Sequence, residues 1–139
     1  MKAIPYLTYS GSCEEAVLFY QSVLGGEAQF VRFGDLPEEE GISVGDAWKA
    51  KVMHGSLTFG DGVVIYFSDS WENQPVTVGT NATVHLAVAS EDEVKRIVSG
   101  LSEGGEVTMP AEKVFWGAVY GSLIDKYGVQ WGVEYELPQ

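Results

Sequence analysis

The sequence predicts an α+β fold built from two βαβββ modules, and three observations carry this. Two S-x-x-E segments stand 78 residues apart. Each is followed by one apolar helical stripe and a Gly-Gly-Glu stop, and each such helix is flanked by β-like runs in the same order.

The first helix is expected to begin at Ser12-Cys13-Glu14-Glu15. There the serine oxygen can accept from the N–H three residues on, and the glutamate can reach back. Its apolar face reads as Ala16, Phe19, Tyr20 and Val23, and Gly25-Gly26 supplies the left-handed stop. Ser90 to Glu93 opens the second helix, with Val94, Ile97, Val98 and Leu101 as its stripe and Gly104-Gly105 as its stop. The stops lie 79 residues apart, so the second helix should be about one residue longer.

Strands are expected at 3–9, 28–33, 50–59 and 63–67 in the first module, with a tight turn at Gly60-Asp61-Gly62. The second module should place them at 83–88, 106–108, 115–124 and 129–135, with Lys126-Tyr127-Gly128 as the last turn. Residues 1–139 then form a single domain: module 1 over about 1–68, a Pro, Gly and Asn-containing linker over about 69–79, and module 2 over about 80–139. The acidic stretch 34–49 is long for a connection in a compact domain and is a lid candidate. Within it, Glu38-Glu39-Glu40 reads as solvated loop charge.

Twenty acidic residues against eight basic ones give a net charge of −12, which repels phosphate backbones and anionic lipid. Neither nucleic acid nor a membrane surface is an expected partner. The lone Cys13 forms no intrachain disulfide and no segment has the length and apolarity of a signal or a span, so a cytoplasmic location is expected.

Strand alternation sorts side chains into two faces. In 129–135, Val129, Trp131, Val133 and Tyr135 form the core face, opposite Gln130, Gly132 and Glu134. In 52–59, Val52, His54, Ser56 and Thr58 alternate with Met53, Gly55, Leu57 and Phe59, and His85 falls on the side of its strand away from the helix. These sets predict a ligand concavity lined by His54, Ser56, Thr58, Tyr66, His85, Gln130 and Glu134, with Trp116 and Tyr120 as aromatic walls. His85, His54 and Glu134 are the candidates for acid–base work near neutral pH.

Several segments together resemble the PhnB-like subgroup of the vicinal oxygen chelate superfamily, which includes glyoxalase I, bleomycin-resistance proteins and extradiol dioxygenases. They are Pro5-Tyr6-Leu7, Phe19-Tyr20, Gly25-Gly26-Glu27, Lys51-Val52-Met53-His54, Val107-Thr108-Met109-Pro110, Phe115-Trp116-Gly117 and Asp125 to Trp131. The resemblance spans essentially the whole chain. It implies modules paired edge to edge, with mixed curved sheets enclosing a pocket and helices outside, and a homodimer.

For glyoxalase I the resemblance also implies four metal-ligating side chains, two per module. Their positions here fall on Pro5, Tyr66, His85 and Gly132, so one ligand is retained, and such sites need about three. No metal or other cofactor is therefore expected, unless Glu134 or His54 joins His85 in a shifted divalent-ion site. The expected function is a homodimeric module that binds a small, partly aromatic molecule. The alternative is a metal-assisted or His-based lyase, isomerase or dioxygenase-type enzyme acting on a small oxygenated substrate. Subgroup names borrowed from a ubiquinone-biosynthesis methyltransferase find no glycine-rich nucleotide fingerprint in this chain.

Overall fold

The computed structural model describes residues 1–37 and 43–139. The acidic run at 38–40 and the middle of the lid candidate lie outside the described residues. Two compact units emerge, Met1–Thr77 and Val78–Gln139. The first carries β1 (Tyr6–Tyr9), α1 (Cys13–Leu24), β2 (Glu27–Arg32), β3 (Val52–Phe59) and β4 (Val63–Asp69). The second repeats that order as β5 (Val84–Ala87), α2 (Glu91–Leu101), β6 (Glu106–Val114), β7 (Ala118–Ile124) and β8 (Gln130–Glu136).

Each unit has one mixed, open four-stranded sheet, ordered β1-β4-β3-β2 in the first and β5-β8-β7-β6 in the second. The pairs β1–β4 and β5–β8 are parallel and the others antiparallel. The α+β architecture of two βαβββ modules is therefore present. Among the described residues, no helix is long and apolar enough to cross a membrane.

The helices match the expectation unequally. In α2 the stripe Val94, Ile97, Val98 and Leu101 is buried as expected, and Ser90, with extended backbone, accepts from the Glu93 N–H at 3.2 Å. Extended geometry is what aims an N-cap oxygen at the third N–H. Ser12 has ψ 14° instead and makes no side-chain cap bond. The acceptor at this helix start is Asp69, whose Oδ1 takes the N–H groups of Gly11 and Cys13 and not that of Glu15.

The buried stripe of α1 is Cys13, Ala16, Val17 and Tyr20, while Phe19 and Val23 are only half-buried. A residue longer was the expectation for α2, yet it spans 11 residues against 12 for α1. Its end loosens through Glu103 N–H to the Gly100 carbonyl and Gly105 N–H to the Ser102 carbonyl, whereas α1 stops directly on Gly25 at φ 75°. The repeated Gly-Gly-Glu has a packing cause. A Cβ at Gly26 would collide with the Thr58 carbonyl oxygen, and one at Gly105 with that of Ile124.

Four strand expectations need correction. β1 begins at Tyr6 and not at residue 3. β6 runs on through Pro110 to Val114, which an edge strand with register shifts at 107–109 and 109–112 tolerates. The turn before β7 consequently falls at 115–117, with Gly117 at φ 86°. β4 extends to Asp69, which is structural and not part of a linker.

In β3 the pairing with β2 slips by one residue, Val31 opposing His54 and Arg32 opposing Val52. The bulge turns Val52 into the core with Leu57 and Phe59, leaving Met53 on the face away from α1. The first core comprises Val52, Leu57, Phe59, Ile65 and Phe67, while Val84, Leu86, Val119, Leu123, Trp131 and Val133 form the second. Trp131 is fully buried as expected, and its indole donates to Asp125 Oδ2 at 2.8 Å.

Candidate functional site

In each unit the sheet face opposite the helix gathers polar and aromatic side chains. In the first unit, Tyr6 opposes Tyr66 and Tyr66 opposes Ser56. The His54 ring lies 4.8 Å from that of Tyr66, and its Nδ1 shares a hydrogen bond of 3.1 Å with the Tyr6 hydroxyl. His54, Ser56 and Tyr66 are thus brought together. Thr58 opposes Val64 and Glu27 farther along the strand and stands apart.

Beside this cluster the same unit holds a cavity of about 420 Å³ whose walls sequence reasoning missed. Phe33 and Trp71 meet edge to face, with centroids 5.0 Å apart, and Met53, Pro75 and Val76 complete the apolar side. Thr8, Ser68, Ser70 and Gln74 supply hydroxyl and amide groups. His54 and Tyr66 do not line it. Asp69 does, but its carboxylate accepts three backbone N–H groups: Gly11 at 2.8 Å, Cys13 at 3.0 Å and Val52 at 2.9 Å.

Trp71 is presented by a turn closed from Gln74 N–H to the Trp71 carbonyl, with Asn73 in the left-handed region at φ 64°. The flanks of the lid candidate are tied down nearby. Gly34 N–H donates to the Lys49 carbonyl, Trp48 Nε1 to the Ser70 carbonyl, and Gly45 N–H to Glu72.

The second unit brings together His85, Glu134, Trp116 and Tyr120. His85 Nε2 lies 2.9 Å from Glu134 Oε2, and Trp116 Nε1 donates to Glu134 Oε1 at 3.1 Å. The rings of His85 and Tyr120 run nearly parallel at 6.1 Å, and Trp116 meets Tyr120 at 60°. Gln130 is not in this group: its amide donates to the Ala82 carbonyl at 3.0 Å.

The metal positions implied by the resemblance can be tested on the sheet registers. His85 opposes Gly132, as Tyr6 opposes Tyr66, so the first-strand position equivalent to His85 is Tyr6. Pro5, the expected position, lends only its carbonyl to the Tyr66 N–H. Two phenols, one imidazole and a glycine do not make a divalent-ion site. A shifted site built on Glu134 reaches two donors, and among the described residues no three His, Cys, Asp or Glu side chains gather.

Comparison with known proteins places this geometry. Residues 1–134 match the family described as 3-demethylubiquinone-9 3-methyltransferase. The crystal structure of protein PA1353 from Pseudomonas aeruginosa is 34% identical, with a TM-score of 0.86 and 99% of both chains covered. A PhnB protein from Bacillus cereus is 25% identical with a TM-score of 0.73, covering 97% of this chain and 99% of its own. Protein YjdN of Escherichia coli K12 is 27% identical over 94% of this chain and 92% of its own. The fold recurs at lower identity in structures of glyoxalase, bleomycin resistance and dioxygenase type. The chain therefore belongs to the PhnB-like family described as 3-demethylubiquinone-9 3-methyltransferase.

Proposed function

We propose that this protein is a cytoplasmic, homodimeric small-molecule-binding member of its family that works without a resident metal, and that its ligand is a small neutral molecule with an aromatic part. The observation that carries this reading is the cavity of the first unit, with its Phe33–Trp71 pair and with Thr8 and Ser68 in its lining. An apolar wall with a few convergent polar groups suits a ligand that is flat on one side and hydrogen-bonding on the other. The carboxylate of Asp69, already held by three N–H donors, offers little to a cation. The methyl-transfer name of the matched family is not carried over as an activity, because nothing in either sheet supplies a glycine-rich nucleotide loop.

A thermal-shift screen of neutral aromatic metabolites and antibiotics tests the reading. A ligand of the native state adds about 2.7 kcal/mol of stability at a hundredfold excess over Kd, and the melting temperature rises with it. Trp71→Ala is expected to abolish the response while leaving unfolding cooperative. A shift that survives Trp71→Ala unchanged would move the ligand elsewhere.

A further inference from the structure

The β3–β4 turn, Gly60-Asp61-Gly62, carries the one Asp-Gly pair of the chain, and the sequence has no Asn-Gly. Glycine after an aspartate has no side chain to obstruct attack of its backbone nitrogen on the aspartyl carboxyl, and it leaves the backbone free to turn. Attack also needs a carboxyl and an N–H that are not engaged elsewhere.

The turn meets these conditions. Its residues are exposed, and among the described residues Asp61 has no hydrogen-bond or ion-pair partner and the Gly62 N–H donates to no carbonyl. In the β6–β7 turn, by contrast, the Gly117 N–H is held by the Val114 carbonyl at 3.1 Å. A Cβ at Gly60 or Gly62 would meet nothing within 4 Å, so the backbone on either side of Asp61 has room to rearrange.

Other pairs of this kind are locked. The carboxylate of Asp69 accepts from Gly11, Cys13 and Val52, and the N–H of the following Ser70 donates to the Tyr9 carbonyl at 2.7 Å. The carboxylate of Asp125 accepts from the Tyr127 and Val129 N–H groups and from the Trp131 indole. In Asn73-Gln74 the Gln74 N–H closes a turn onto the Trp71 carbonyl.

We infer that Asp61 is a site of spontaneous covalent modification, at which the peptide link to Gly62 isomerises from the α- to the β-carboxyl. The Gly62 nitrogen bonds to Cγ of Asp61 and closes a succinimide, while its amide proton, one carboxylate oxygen and a proton from solvent leave as water. Water then adds back to either ring carbonyl. Opening at Cγ restores Asp61, whereas opening at the main-chain carbonyl leaves the chain running through Cβ and Cγ to Gly62, with a free α-carboxylate beside it. Atoms balance, since one water leaves and one returns. The product lengthens the backbone of a turn that closes on the Phe59–Val63 pair. Its exposed α-carboxylate is the group that an isoaspartyl-directed carboxyl methyltransferase takes as substrate. The inference goes beyond the small-molecule reading and uses no residue of the first unit's cavity.

The test is incubation of the full chain for weeks in warm neutral buffer, followed by mass-spectrometric fragmentation that tells the two linkages apart, with a peptide of residues 58–65 alongside. Isoaspartate is expected to form at Asp61 within about tenfold of the peptide's rate, because a free turn needs little opening. At Asp69 it should form more than about tenfold more slowly than in a peptide of that segment, because the carboxylate and the Ser70 N–H must first be released. An isoaspartyl methyltransferase with a labelled methyl donor should mark the aged chain more than the fresh one. Asp61→Glu, whose imide needs a larger and slower-forming ring, should abolish both signals with cooperative unfolding kept. Formation at Asp61 more than about tenfold below the peptide's rate, isoaspartate arising at Asp69 or Asp125 as fast as at Asp61, or labelling that survives Asp61→Glu would overturn the inference.

Discussion

The backbone N–H of Cys13, the first residue of α1, donates to the carboxylate of Asp69, the last residue of β4, across 3.0 Å. The other oxygen of that carboxylate accepts from Val52 at the start of β3, so one buried side chain ties a helix N-terminus to two strands. A carboxylate at a helix start also complements the helix dipole. Asp69→Ala would orphan three N–H groups and is expected to cost about 2–4 kcal/mol, seen as a lower urea midpoint with an unchanged slope. A loss under about 0.5 kcal/mol would show that water replaces the carboxylate.

The two serine caps should part company on mutation. Ser90→Ala removes an N-cap bond and is expected to destabilise by about 1 kcal/mol, whereas Ser12→Ala should fall within about 0.5 kcal/mol of wild type. Equal losses in chemical denaturation would contradict the division of labour between Ser12 and Asp69.

Cys13 should be chemically silent in the native protein. Its side chain is fully buried, and burial, reinforced by the charges of Asp69 and Glu14, pushes the thiol well above its ordinary pKa. A disulfide reagent such as dithionitrobenzoate is expected to react only at the rate of unfolding, and a fast native phase would refute this.

The Arg32–Glu14 pair predicts a small acid dependence. Hydrogen bonding to the Arg32 guanidinium holds the Glu14 carboxyl below its ordinary pKa. The stabilisation is therefore present above the unfolded-state pKa and is lost as pH falls through the lowered folded value. Because the side chains are 33% and 44% exposed, Glu14→Gln should cost no more than about 0.5–1 kcal/mol at pH 7 in low salt. That difference from wild type should shrink in acid and in high salt, which paired melting curves would reveal.

Much of this architecture is legible in the residues, because α2 has a single strict stripe and both glycine stops share one packing cause. In α1, Cys13, Ala16, Val17, Phe19, Tyr20 and Val23 allow two overlapping stripes, and periodicity does not choose between them. Tertiary contact does. The bulge at Met53 and the run of β6 through Pro110 are likewise set by strand pairing, which local pattern does not encode. At the site, alternation sets His54 on the face of Tyr6 and His85 on the face of Glu134, where the structure has them. The cavity is not legible locally because Phe33, Met53 and Trp71 come from three separated segments, the first two read as strand and the third as linker. The His85–Glu134 contact was within reach, since parallel pairing sets Ala87 against Glu134 and His85 two residues away.

Strand β6 is the outermost strand of its sheet and leaves Val107 and Met109 about half exposed, a composition that invites another chain to add a strand. Pro110 lacks the N–H such an addition would require, and the two register shifts break the spacing of the remaining donors and acceptors. The strand carries its own protection against sheet-to-sheet polymerisation. That protection lies in backbone chemistry and does not fade as salt rises, as protection by charge alone would.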